Sequence, residues 1–243
     1  MSGHAWQAPE TGEDATKEDA TKAWLDRMRE VALYHATPIH YLPTVLAEGA
    51  LLAKSVLAAR GISPRATALR RDRMLDLADF VHFSFDIATP LLRDKLGKGF
   101  PHALLVFEGA SLAALPHHAL LPYNTKAWRT RAAYRPIEEP VEKMAALRRH
   151  VCRRELPSLE FVVKYAVALD MAVETVFVTV EEMEWVAALC KAIRLPMPRA
   201  GRLDPSLAPA GYRPVTSGAI LAYFSACRDA GRLLAPPQDI DFD

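Results

Sequence analysis

The chain has 243 residues, of which 51% are hydrophobic and 24% charged, and a formal net charge of +1. That composition belongs to a globular chain with room for a substantial core. The near-neutral charge excludes a global field that would draw the chain to nucleic acid or a membrane surface, so any such contact must come from a local basic patch.

Residues 1–22 are polar, with few large apolar groups, and read as a disordered tail. A short helix is predicted over Trp24–Arg29 and a strand over Val31–His35. Leu42, Val45, Leu46 and Ala50 recur at helical spacing, with Pro43 in the first turn and Gly49 as the stop, so a helix is predicted over Leu42–Leu51. Arg60–Arg73 is a basic loop broken by Gly61 and Pro64. Phe80–Phe85 alternates and is rich in strand formers, Thr89–Leu96 opens on a Thr-Pro helix start, and Ala103–Phe107 is an apolar strand.

Leu115–Arg135 reads as irregular, with aromatic and basic residues interleaved. Val141–Arg154 has helical composition, Glu160–Val163 and Thr175–Val180 read as strands, and Val180–Ala192 as a helix. A proline-rich loop then leads to a helix over Gly218–Leu234. Helices and strands mix without regular β-α-β alternation, and no G-x-G-x-x-G follows a strand, which predicts an α+β domain at 23–194 with an extension at 195–243.

The three cysteines, Cys152, Cys190 and Cys227, are far apart and form no C-x-x-C pair. This argues against a disulfide framework or a zinc site and fits a reducing cytoplasm. Cys152 lies among basic residues that favour a thiolate, yet as a lone thiol it reads as incidental. No basic-then-apolar leader precedes residue 22, and no apolar run approaches the ~18 residues that span a bilayer. The expectation is a chain that is neither secreted by a cleaved signal nor embedded in a membrane.

Six positions stand out chemically. His35 and Thr37 lie two apart at a strand end, so they face one side. Such a pair can hold a planar amide or a sugar hydroxyl, and a histidine capping the strand end beside a turn threonine is the other reading. Arg70 and Arg71 carry permanently charged guanidinium groups suited to a pyrophosphate, and equally to a solvated loop. His82, within the aromatic strand, reads as core or cleft, core being the favoured reading. Glu160 opens an apolar strand, where an unpaired carboxylate is costly to bury. It is either a charge that blocks edge pairing or a group facing a cleft, where a carboxylate stabilises positive charge developing on a sugar.

In order and spacing, these segments resemble the DarT family, ADP-ribosyltransferase toxins that modify thymidine in single-stranded DNA. The family opening, Tyr-His-Ile-Thr-His followed by Asn-Leu and an Ile-Leu…Gly helix, is similar to Tyr34-His35-Ala36-Thr37-Pro38, Tyr41-Leu42 and Val45-Leu46…Gly49. Its double arginine resembles Arg70-Arg71. Its Asp-Tyr-Val-Pro-Phe-Tyr-Phe strand and Ser-Pro-Met-Leu turn resemble Asp79-Phe80-Val81-His82-Phe83-Ser84-Phe85 and Thr89-Pro90-Leu91-Leu92. Its Ala-Glu-Phe-Leu-Val resembles Leu159-Glu160-Phe161-Val162-Val163, and the match runs from about residue 31 to 190.

The resemblance implies an ADP-ribosyltransferase-like split β-sandwich with peripheral helices and NAD as co-substrate in its cleft, without a metal. It assigns His35, Thr37, Tyr34 and Arg70 to NAD, Leu91 to the nicotinamide side, Arg71 to phosphate and nucleophile, and Glu160 to catalysis. Which arginine of the pair is catalytic stays open. The family's acceptor-gripping loop corresponds to Tyr123, Asn124, Lys126, Trp128, Arg129 and Arg131. Rings that stack bases beside cations that meet phosphates suit single-stranded nucleic acid. A macrodomain antitoxin is the partner the family implies. The chain departs from the family at Pro38 and Tyr41, where the family has His and Asn. It departs again at His82 and Ser84, where the family has Pro and Tyr, and in the acceptor loop. Transfer to RNA or protein, NAD hydrolysis, and an idle nucleic-acid-binding module are the alternatives.

Overall fold

The computed structural model describes residues 17–61, 72, 76–122, 135–156, 158–192 and 194–213. Helix α1 (Lys17–Met28) begins inside the stretch 1–22 read as a tail, and buries Trp24 and Met28, four apart on one face. Strand β1 spans Ala32–Pro38, and α2 (Leu42–Glu48) follows a single 3-10 turn. Gly49 closes α2 at φ 64, the left-handed conformation that glycine adopts without a side-chain penalty. The chain then enters β2 (Ala50–Leu52) rather than continuing the predicted helix to Leu51, and α3 (Lys54–Ala59) follows.

Strand β3 is Phe80–Ser84. Helix α4 (Pro90–Gly97) starts where the Thr-Pro pair predicts, with the Thr89 hydroxyl accepting from the Leu92 N–H at 3.1 Å. Strand β4 (His102–Glu108) leads into α5 (Gly109–Ala113). Strand β5 (His118–Leu121) lies within the stretch read as irregular, since its alternation is too short to register beside Pro116 and Pro122. Helix α6 (Pro140–Arg148) runs into a π-turn at Arg149–Arg153. Strands β6 (Glu160–Lys164), β7 (Ala166–Ala168) and β8 (Ala172–Phe177) precede α7 (Val180–Ala192) and β9 (Ala200–Leu203). Helix α7 opens on a capping box: Thr179 Oγ1 accepts from the Glu182 N–H, and Glu182 Oε2 accepts from the Thr179 N–H. The predicted Gly218–Leu234 helix lies outside the described residues.

The main sheet has the order β5-β6-β3-β1-β4-β8-β9, antiparallel throughout except for the β8–β9 pair, and β2 pairs with β7 in a separate two-stranded sheet. Its joints differ in strength. Strand β1 pairs with β4 along its full length, and β3 with β6 along its full length. Strands β1 and β3 meet only at Tyr34↔Ser84. The sheet therefore divides into two halves, β5-β6-β3 and β1-β4-β8-β9, joined at one register pair. This is the α+β, split-sheet architecture with peripheral helices expected from the sequence.

Alternation along the strands decides what each face does. One face carries Leu33, Val81, Phe83, Leu105, Phe107, Phe161 and Val163 into the main core beneath α1, α6 and α7. There Phe83 of one half sits edge-to-face on Phe107 of the other at 5.2 Å. Burying each such ring contributes about 1.5–3 kcal/mol, so the halves are clamped from the core side even where their backbones part. The other face carries two small apolar clusters, one under each half. Leu92 and Leu96 of α4 cover Leu104, Val106 and Val176, while Leu77 packs with Ala119, Leu121 and Val162. Between them runs the seam.

Candidate active site

A row of register partners crosses the seam: Leu121, Glu160, Ser84, Tyr34 and Val106, from β5, β6, β3, β1 and β4. Directly paired residues share a face. Glu160, Ser84 and Tyr34 thus form a polar strip flanked by apolar neighbours, at the point where the two half-sheets part. The Glu160 side chain is 16% exposed. Strand β6 lies between β5 and β3, so Glu160 is not on an edge strand, and a role in blocking edge pairing is excluded.

His82 shares this face. Its Nδ1 lies 3.0 Å from Glu160 Oε2 and donates to the carboxylate. Of the two readings of His82, core and cleft, the favoured core reading is corrected: the side chain faces Glu160. The strand's alternation sends Val81 and Phe83 inward and turns His82 toward Ser84 and Glu160. The same alternation, read strictly, was the signal that could have found it.

His35 reaches the seam from β1. Its Nδ1 lies 2.9 Å from the His82 carbonyl oxygen. A carbonyl only accepts, so Nδ1 carries the hydrogen and Nε2 of the neutral ring is left as an acceptor. Past Tyr34↔Ser84 the β1 backbone no longer serves β3, and the imidazole takes its place as donor to that carbonyl. Desolvation pulls the His35 pKa down to about 4, with the charges of His82 and Lys54 acting in the same direction, against the carbonyl hydrogen bond. The ring is neutral across the physiological range. It packs edge-on against Phe83 at 5.8 Å.

Thr37 lies on the same side of β1 as His35 and is only 4% exposed. Tyr34 turns to the Glu160 face and packs against the cluster of Leu92 and Leu104. Leu91, in the first turn of α4, is 37% exposed beside buried Leu92. Lys54, at the start of α3, pairs with buried Asp72, the residue that follows Arg71 in the chain. Arg70, Arg71, Tyr123, Asn124, Lys126, Trp128, Arg129 and Arg131 lie outside the described residues. The structure thus brings His82, Ser84, Tyr34 and Glu160 onto one face of the seam, with His35 joined to them through the His82 carbonyl. Among the described residues no group of three or more His, Cys, Asp or Glu is placed to hold a metal ion, and no helix is long and apolar enough to cross a membrane. Cys152 is an exposed free thiol and Cys190 a buried one.

No protein-family model matches this chain, and no curated protein matches it. Solved structures do. Thermus sp. 2.9 DarT in complex with NAD+ superposes with a TM-score of 0.55 at 20% identity, over 74% of this chain and 98% of that one. The same protein in complex with ADP-ribosylated single-stranded DNA gives 0.56 at 19%, over 74% and 96%. This chain has the DarT fold. Thermosipho africanus DarTG in complex with ADP-ribose agrees, with a TM-score of 0.55 at 14% identity over 73% of this chain and 50% of that one. At these identities the likeness establishes the fold. It accounts for the mixed helices and strands and the mostly antiparallel central sheet.

Proposed function

We propose that this chain transfers ADP-ribose from NAD to a base of single-stranded DNA, acting as a toxin of the DarT kind. The observation that carries the proposal is Glu160, a half-buried carboxylate held by His82 at the seam of a split sheet. Support comes from the solved structures of that fold, which hold NAD+ and ADP-ribosylated single-stranded DNA.

NAD, when bound, supplies the bond between the ribose C1′ and nicotinamide; its electron pair leaves with nicotinamide, a base nitrogen bonds to C1′, and that nitrogen loses its proton. Glu160 stabilises the positive charge that develops on the ribose and stands ready to accept the proton. The Nε2 of His35 accepts from a ribose hydroxyl or an amide N–H, with Thr37 on the same side of β1, while Tyr34 contacts NAD from the Glu160 face. Arg70 and Arg71 neutralise the pyrophosphate, Arg71 also ordering the nucleophile, and Leu91 lines the nicotinamide side.

Strand β5 ends at Leu121, the register partner of Glu160, and the chain passes from there through Pro122 to the acceptor residues. Tyr123 and Trp128 stack bases there, while Asn124, Lys126, Arg129 and Arg131 hold the strand. The exposed Arg148, Arg149, Arg153 and Arg154 add positive charge just before β6. A macrodomain protein that removes the modification is the partner such a toxin requires, in the cytoplasm where NAD and DNA meet.

Mass spectrometry of single-stranded oligonucleotides, RNA and lysate proteins after incubation with the chain and NAD tests the proposal. An ADP-ribose adduct on a DNA base is the expected result. An adduct on RNA or protein alone, free ADP-ribose alone, or no product contradicts it.

A further inference from the structure

We propose that His82 is a positioning residue that fixes the Glu160 carboxylate for transfer, an inference that rests on Glu160 being the catalytic carboxylate. His82 is tied at both ends. Its backbone carbonyl accepts from His35 Nδ1 at 2.9 Å, and its own Nδ1 donates to Glu160 Oε2 at 3.0 Å. One residue of β3 therefore links a group on β1 to a group on β6 across the seam.

The carboxylate lies on the seam face of β6. Its register neighbours on either side along the row are Leu121 and Ser84, and Val162 is the next residue of β6 on that face. A glutamate side chain has three rotatable bonds, so a catalytic carboxylate that must meet one ribose atom gains from a directional donor. The imidazole's Nε2 is buried and has no hydrogen-bond partner among the described residues. The ring thus spends its hydrogen-bonding capacity there on Glu160.

Two polar substitutions separate positioning from mere structure. In His82→Asn the amide nitrogen takes the place of Nδ1 and keeps the donor to Glu160. In His82→Gln the donor moves one bond outward, toward the place of Nε2. Nicotinamide release gives kcat and KM for NAD in both, beside wild type and Glu160→Ala, with thermal midpoints confirming that each variant folds. For His82→Gln kcat is expected to fall roughly tenfold to a hundredfold, the scale of a lost hydrogen bond to a charged group, with KM for NAD unchanged. His82→Asn is expected to keep most of the wild-type kcat. Equal kcat in the two variants, or an effect confined to KM, overturns the positioning role while Glu160→Ala remains inactive. Turnover in Glu160→Ala instead overturns the catalytic assignment beneath it.

Discussion

His35 donates its Nδ1 hydrogen to the carbonyl of His82 at the place where β1 and β3 cease to pair. A side chain there does the work of a backbone ladder. The consequence is geometric. The seam can open on the Glu160 face without leaving the His82 carbonyl unsatisfied, while Phe83 and Phe107 hold the halves together on the core face.

Replacing His35 by Phe keeps an aromatic ring beside Phe83 but removes both nitrogens. The His82 carbonyl loses its donor, at a cost of about 1–3 kcal/mol if no water replaces it. A lower thermal midpoint and a loss of NAD affinity by titration calorimetry are the expected outcomes. A variant that binds NAD as tightly as wild type contradicts the role given to Nε2.

Acid should destabilise the fold early. Burial lowers His35 and His102 to about 4 and His40 to about 3, against 6.5 for an exposed ring. Between these values the unfolded chain binds protons that the folded chain refuses. Stability is therefore intact above pH 6.5 and falls as pH drops toward 4 and 3, by up to about 1.4 kcal/mol per pH unit for each ring. Urea midpoints measured between pH 7 and 4 should decline steadily, and a flat profile contradicts the burial of these rings.

Gly109 opens α5 where the chain doubles back on the end of α1. A Cβ there would come within 2.7 Å of the Met28 carbonyl oxygen and 2.8 Å of that of Val31, both backbone atoms. The Gly109 N–H donates to the same Val31 oxygen at 2.8 Å, so the segments cannot drift apart freely. Gly109→Ala is expected to cost about 1–3 kcal/mol, read as a drop in the denaturation midpoint, with no change in KM for NAD. An unchanged midpoint contradicts the close approach.

Much of this architecture is legible in the chain itself. Strong local signals survive folding: the Gly49 stop of α2, the Thr89-Pro90 start of α4, the apolar run of β4 and the strand that opens on Glu160 all stand where the pattern places them. The short strands β2, β5 and β7 are not legible, because three or four residues carry too little alternation and their pairing is supplied by distant partners. His82 is the informative miss. Aromatic neighbours favour a core reading, whereas strict alternation turns it away from Val81 and Phe83, and the register against β6 supplies Glu160 as its neighbour. That Tyr34 turns away from His35 and Thr37 follows from strand alternation alone.

In the proposed reaction Glu160 drives ADP-ribosyl transfer to DNA. The most direct measurement compares wild type with Glu160→Ala for incorporation of labelled ADP-ribose from NAD into single-stranded oligonucleotides, at matched protein concentration and with folding checked by circular dichroism. Wild type is expected to label the DNA, and the folded alanine variant to leave it unlabelled while still binding NAD. Equal labelling by the two proteins would contradict the claim.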